Sequence, residues 1–161
     1  MTANEVIEKL KLAPLAVEGG HFCETYRSEK KLENGDCLGT SICYLLKSSE
    51  ISRWHKVSKD EIWHYHAGSP AIQMLLYPDG SWKEIIIGAD IAGGHLPQSL
   101  IPAGVWQAAV LMDNSINSWG LFGATVFPGF EYKDYTEGKG SDLAKKFPSA
   151  EKRMKELGLF L

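Results

Sequence analysis

His55-Lys56-Val57-Ser58-Lys59-Asp60-Glu61 and, later in the chain, Pro102-Ala103-Gly104-Val105-Trp106-Gln107 carry the pattern on which the architecture rests. Each string crosses a turn into strand-like sequence. Ser58-Lys59-Asp60 is polar, and Pro102-Ala103-Gly104 pins the start of a strand. Each also ends on groups that can do chemistry: His55 and Glu61 in the first, Gln107 in the second.

Reading outward from Glu61, side chains two apart on a strand share a face. Glu61, Trp63 and Tyr65 therefore share one face, and Ile62, His64 and His66 the other. If Glu61 faces inward, the His64–His66 pair faces solvent or a partner subunit. Further strands are expected at Phe22–Ser28, Thr40–Leu46, from Arg53, Ile72–Tyr77, Trp82–Ile87, Ser99–Ile101, Gln107–Met112 and Gly120–Phe127. The turns between them are rich in Gly, Asn and Asp, as in Glu33-Asn34-Gly35-Asp36 and Pro78-Asp79-Gly80-Ser81. About nine short strands at this spacing make a β-sandwich or barrel. No helical stretch separates them, which argues against parallel βαβ folds.

Helices are expected only at the ends. Thr2 and Glu5 form a capping box for Thr2–Leu12, with Val6, Ile7 and Leu10 as its apolar stripe and Pro14 as its stop. Ser149 is placed to cap Ala150–Leu157, with Gly158 closing it. Glu131–Ser141 reads as a polar, Gly-rich stretch. With no linker or repeat, residues 1–161 read as one domain.

The 161 residues carry 17 Lys and Arg against 20 Asp and Glu, a net charge of −3. No basic stripe is present, so a nucleic-acid partner is not expected. The first residues are too polar and acidic for a signal peptide, and no apolar run reaches membrane-span length. No membrane association and a cytoplasmic location are the expectations. Cys23, Cys37 and Cys43 show no C-x-x-C spacing and read as reduced thiols.

His55 is the candidate acid–base group, since its ordinary pKa lies near neutrality. Glu61, held among Trp54, Trp63 and Trp106, would orient it or share its proton; desolvation there raises a carboxyl pKa. Trp63, Tyr65, Gln73, Gln98, Trp106 and Gln107 are the candidate ligand-binding side chains, aromatic walls with a few fixed polar groups. Glu24, Arg27 and Glu131 are further polar groups in aromatic-rich segments. Val57 offers no donor and a Gln107 amide is a weak one, so no tightly bound metal and no cofactor are expected.

The two opening strings resemble the paired motifs of the cupins, H-x-H-x3-E and P-x-G-x-x-H, with Val57 and Gln107 replacing two histidines. The resemblance widens with Gly20-His21-Phe22-Cys23-Glu24-Thr25-Tyr26-Arg27-Ser28, Asp60-Glu61-Ile62-Trp63, Gly68-Ser69-Pro70 and Pro97-Gln98. It continues from Trp119-Gly120-Leu121-Phe122 to Val126-Phe127-Pro128-Gly129-Phe130-Glu131. Over most of the chain, these strings resemble the cupin group called DUF985 or cupin-5. The resemblance implies an all-β, cupin-type double-stranded jelly-roll barrel with an internal pocket, usually a homodimer. It implies no single activity.

Three functions stay open at this point. One is a metal-independent binding protein for a small sugar- or nucleotide-like molecule. Another is an isomerase or epimerase with His55 as general base and Tyr65 or Tyr132 as the opposite proton donor. The third is a cupin enzyme with a weakly held metal.

Overall fold

The computed structural model describes residues 1–161. The chain runs α1 (Ala3–Leu10), β1 (Ala13–Pro14), β2 (His21–Arg27), β3 (Thr40–Lys47), β4 (Ile51–Val57), β5 (Asp60–Gly68) and β6 (Ala71–Leu76). It continues with β7 (Trp82–Ile87), β8 (Gln98–Ile101), β9 (Trp106–Leu111), β10 (Trp119–Phe127), a 3-10 turn (Tyr132–Asp134), β11 (Tyr135–Glu137), α2 (Gly140–Lys146) and α3 (Glu151–Glu156). The strands form two antiparallel sheets. One has the order β1-β2-β3-β10-β5-β8 and the other β11-β4-β9-β6-β7. From β3 onward the chain passes repeatedly between the sheets, as a jelly roll does.

The inward faces of the two sheets meet in one apolar layer. Tyr44, Leu46, Trp63, Leu75, Leu111 and Phe122 lie there, each almost fully removed from water. Trp63 is wedged between Tyr44 and Phe122, with ring centroids 5.5 and 5.6 Å away. A second apolar cluster lies on the outer face of the five-stranded sheet. There α2 and α3 bring Leu143, Phe147 and Met154 onto Trp54, Met74 and Val110. The Trp54 indole N–H donates to the Leu159 carbonyl at 2.7 Å and fastens the C-terminal segment. On the other sheet, α1 covers Leu45 with Ala3 and Val6.

Helix α1 has the Thr2–Glu5 capping box, but it closes at Leu10. Lys11 takes the left-handed conformation (φ 54°) and ends it, while Pro14 serves as a strand residue opposite His21. At the other end the cap position of α3 is Ala150, without a side-chain cap, rather than Ser149. The stretch after Glu131 is more ordered than its composition suggests, for it contains β11 and leads into α2. No helix is long and apolar enough to cross a membrane.

The segment from Glu131 to Glu137 straps one end of the barrel, and a buried lysine holds it. The Lys59 ammonium contacts Asp134 at 2.8 Å, Asp36 at 3.1 Å and the Gly129 carbonyl at 2.7 Å. Burial opposes its charge, but the two carboxylates outweigh that and hold its pKa above the ordinary lysine range. Lys59 thus joins the β4–β5 turn to the strap and to the loop after β2.

Candidate functional site

The two opening strings are bonded to each other. The Gly104 N–H donates to the Val57 carbonyl at 2.7 Å, and the Ala103 N–H to the Asp60 carboxylate at 2.8 Å. Across β4 and β9, His55 lies opposite Gln107. This pairing places His55, Glu61 and Gln107 in one neighbourhood at the strapped end of the barrel.

His55 and Glu61 line a cavity of about 130 Å³ whose walls are mostly apolar, among them Leu15, Phe22, Ile42 and Val126. His55 is 2% exposed. Its Nδ1 lies 2.7 Å from the Arg53 carbonyl. A carbonyl only accepts, so Nδ1 carries a proton and donates it to Arg53. His55 Nε2 faces Glu18 Oε2 at 3.7 Å. The tautomer is therefore set by the backbone of β4 rather than by Glu61. The Tyr135 ring stacks on the imidazole, with centroids 5.3 Å apart.

Glu61 accepts a short hydrogen bond from the Gln107 amide. Gln107 in turn accepts from Gln73 at 3.3 Å, and Gln73 from the Ser99 hydroxyl at 2.7 Å. All four side chains are buried, and every donor in the row points toward Glu61. Burial pushes the Glu61 carboxyl pKa up; the nearby His55 opposes this, and Glu18 adds to it. Gln73 and Gln107 stand behind Glu61 and do not reach the cavity wall.

The other candidates lie elsewhere. Trp63 is a core residue on the Glu61 face. Tyr65, four residues along the same strand, lies about 13 Å farther from the cavity, and its hydroxyl donates to the Gly68 carbonyl at 2.8 Å. Trp106 points outward because its neighbour Gln107 points inward; Lys56 lies 4.9 Å over its ring, and it packs against the α2–α3 cluster. Gln98 is exposed on edge strand β8 and contacts His64 at 2.9 Å, while its neighbour Ser99 turns inward. His64 also meets Thr125 Oγ1 at 2.8 Å, and His66 is exposed.

Two cavity groups, Glu18 and Tyr135, came into view only with the fold. Glu18 enters from the turn between β1 and β2, where its Oε1 accepts from the buried Ser52 hydroxyl at 2.9 Å. Gly19 and Gly20, with φ of 99° and 72°, make that turn; a Cβ on Gly19 would lie 2.3 Å from the Ile51 carbonyl oxygen. Tyr135 and Tyr132 arrive on the strap, and the Tyr135 hydroxyl is buried without a hydrogen-bond partner. Burial, with Glu18 nearby, pushes the Tyr135 pKa above its ordinary value.

Cupin sites often hold a transition metal on several histidines. Here Val57 lines the cavity with an isopropyl group, and the Gln107 amide is committed to Gln73 and Glu61. No three His, Cys, Asp or Glu side chains are grouped to hold an ion. This donor set does not fit a His-rich metal centre.

The uncharacterized protein YML079W of Saccharomyces cerevisiae is 34% identical over 151 residues, covering 84% of this chain and 75% of that one. Protein SO0799 from Shewanella oneidensis superposes with a TM-score of 0.88 at 29% identity, covering 98% of this chain and 97% of that one. A hypothetical protein from Leishmania major gives 0.87 at 26% identity, with 98% of each chain covered. Oxalate decarboxylase from Bacillus subtilis gives 0.56 at 15% identity, over 87% of this chain and 36% of that one, a likeness of fold alone. Residues 4–137 match the family model of the Cupin superfamily (DUF985). That span takes in all eleven strands, and the chain belongs to the DUF985 family of cupins.

Proposed function

We propose that the barrel cavity binds a small polar molecule, sugar-like in size and hydrogen bonding, without a tightly bound metal. The observation that carries this is the grouping of Glu18, His55, Glu61 and the unpartnered Tyr135 hydroxyl around a mostly apolar cavity. Apolar walls with a few placed polar groups suit a small ligand. At about 130 Å³ the cavity is below the usual range for drug-sized ligands, about 300–1,000 Å³. A compact unit fits inside; the rest of a nucleotide-like ligand would stay at the mouth.

The fixed tautomer of His55 favours a second reading, an isomerase or epimerase. With Nδ1 committed to the backbone, Nε2 is the ring atom at the cavity that would take a proton from carbon next to a carbonyl. Tyr132, on the cavity rim, is the nearer of the two proton donors considered above.

The test is calorimetry with sugars and keto-sugars on the parent protein and His55→Ala. Saturable binding that weakens in the variant supports the binding reading. Turnover that falls about 10²–10⁴-fold in the variant while binding persists moves the conclusion to the enzyme. Absence of any saturable ligand overturns both.

A further inference from the structure

The charged groups on the cavity wall are mostly carboxylates: Glu18, Glu24, Glu61 and Glu131. Arg27 is the only Arg or Lys on its wall, and its guanidinium is fully engaged. Nε and one Nη2 proton go to Glu24, at 3.0 and 2.8 Å. The other Nη2 proton goes to the Phe130 carbonyl at 3.1 Å, and the Nη1 protons to Glu131 at 2.8 Å and Cys37 Sγ at 3.6 Å. A guanidinium has five N–H donors, and all five are taken. The two carboxylates more than balance its single charge.

Deeper in, His55 spends its Nδ1 proton on Arg53, and its Nε2 has no hydrogen bond. Glu18 and Glu61 flank it, and Gln107 supplies a donor to only one oxygen of Glu61. Two carboxylates therefore outnumber the one imidazole whatever its charge, in a mostly apolar space whose guanidinium is already paired. A phosphate or carboxylate entering there would meet like charge at low dielectric. An ammonium would meet carboxylate oxygens of opposite charge, with the Tyr135 ring nearby.

Resting on the binding reading above, we infer that this cavity selects a ligand with a positively charged nitrogen on a compact body, and rejects anions. An amine-bearing sugar is the class that satisfies both the cavity's size and its acceptors. The phosphates of a nucleotide and the dicarboxylates handled by other cupins fall outside it.

The experiment uses two sets of probes matched in size and differing in charge. One is glucosamine, glucose and glucuronate; the smaller is 2-aminoethanol, ethylene glycol and glycolate. Binding is followed by calorimetry at low salt and by the NMR signals of the His55 ring, which place the probe in the cavity. In at least one set the amine should bind about tenfold or more tighter than its neutral and anionic partners. Glu18→Gln, which keeps an acceptor for Ser52, should remove that preference, and Glu61→Gln should weaken it. If the anion or the neutral probe binds as well as the amine, or the preference survives Glu18→Gln, the charge assignment is overturned and the binding reading stands. If no member of either set perturbs His55, the binding reading falls with it.

Discussion

Glu61 shows what burial does to one side chain, and its effect on stability has a definite sign. Its pKa in the folded protein lies above the ordinary 4.5, with burial as the main cause. As pH rises past 4.5 the unfolded chain gives up this proton first, so the folded state holds more protons. The contribution is full below 4.5 and is lost as pH climbs through the raised folded value. Glu61→Gln removes that loss and keeps an oxygen for Gln107 to donate to. Urea unfolding from about pH 4 to about pH 8 should show the variant gaining on the parent as pH rises, then holding a constant lead. A stability difference independent of pH would mean that Glu61 ionises as freely in the fold as out of it.

At the scale of the element, the alternation of side chains decides which candidate groups meet. Period-two reading separated Glu61 and Trp63 from His64 and His66, and the structure has the first pair buried and His66 exposed. Applied to β8 and β9, the same rule selects Ser99 over Gln98 and Gln107 over Trp106, which is what the two strands do. Most strands were legible because each alternates between clear turns. Glu18 and Tyr135 were not, because neither sits in a periodic run. Both reach the cavity through loop geometry: a two-glycine turn in one case, and a strap held by Lys59 in the other. That turn can be tested directly. Gly19→Ala places a methyl against the Ile51 carbonyl and asks an alanine to adopt φ 99°. The expected cost is about 1–3 kcal/mol in urea unfolding, with broadening of the His55 NMR signals as Glu18 is displaced. An unperturbed His55 would show that Glu18 does not depend on this turn.

For the whole molecule, the two sheets are treated unequally. The outer face of the five-stranded sheet is covered by α2 and α3, whereas α1 covers only part of the other. Across the uncovered part runs one row in register, Leu100–Ile62–Thr125–Ser41–Tyr26, with Leu100 56% and Tyr26 59% exposed at its ends. Phe127, 50% exposed, stands beside it. We propose a homodimer in which two copies bring these faces together about a two-fold axis. Light scattering should return twice the 17.8 kDa of one chain, and Leu100→Glu should return a single chain. A monomeric parent at micromolar concentration would refute it. Inside the barrel, the row from Ser99 through Gln73 and Gln107 to Glu61 can run in one direction only. Neither amide can turn over alone without setting donor against donor or acceptor against acceptor. Four positions drawn from four strands thus form one polar unit. A substitution at position 107 that supplies only a donor or only an acceptor would leave a buried group on a neighbouring strand unpaired.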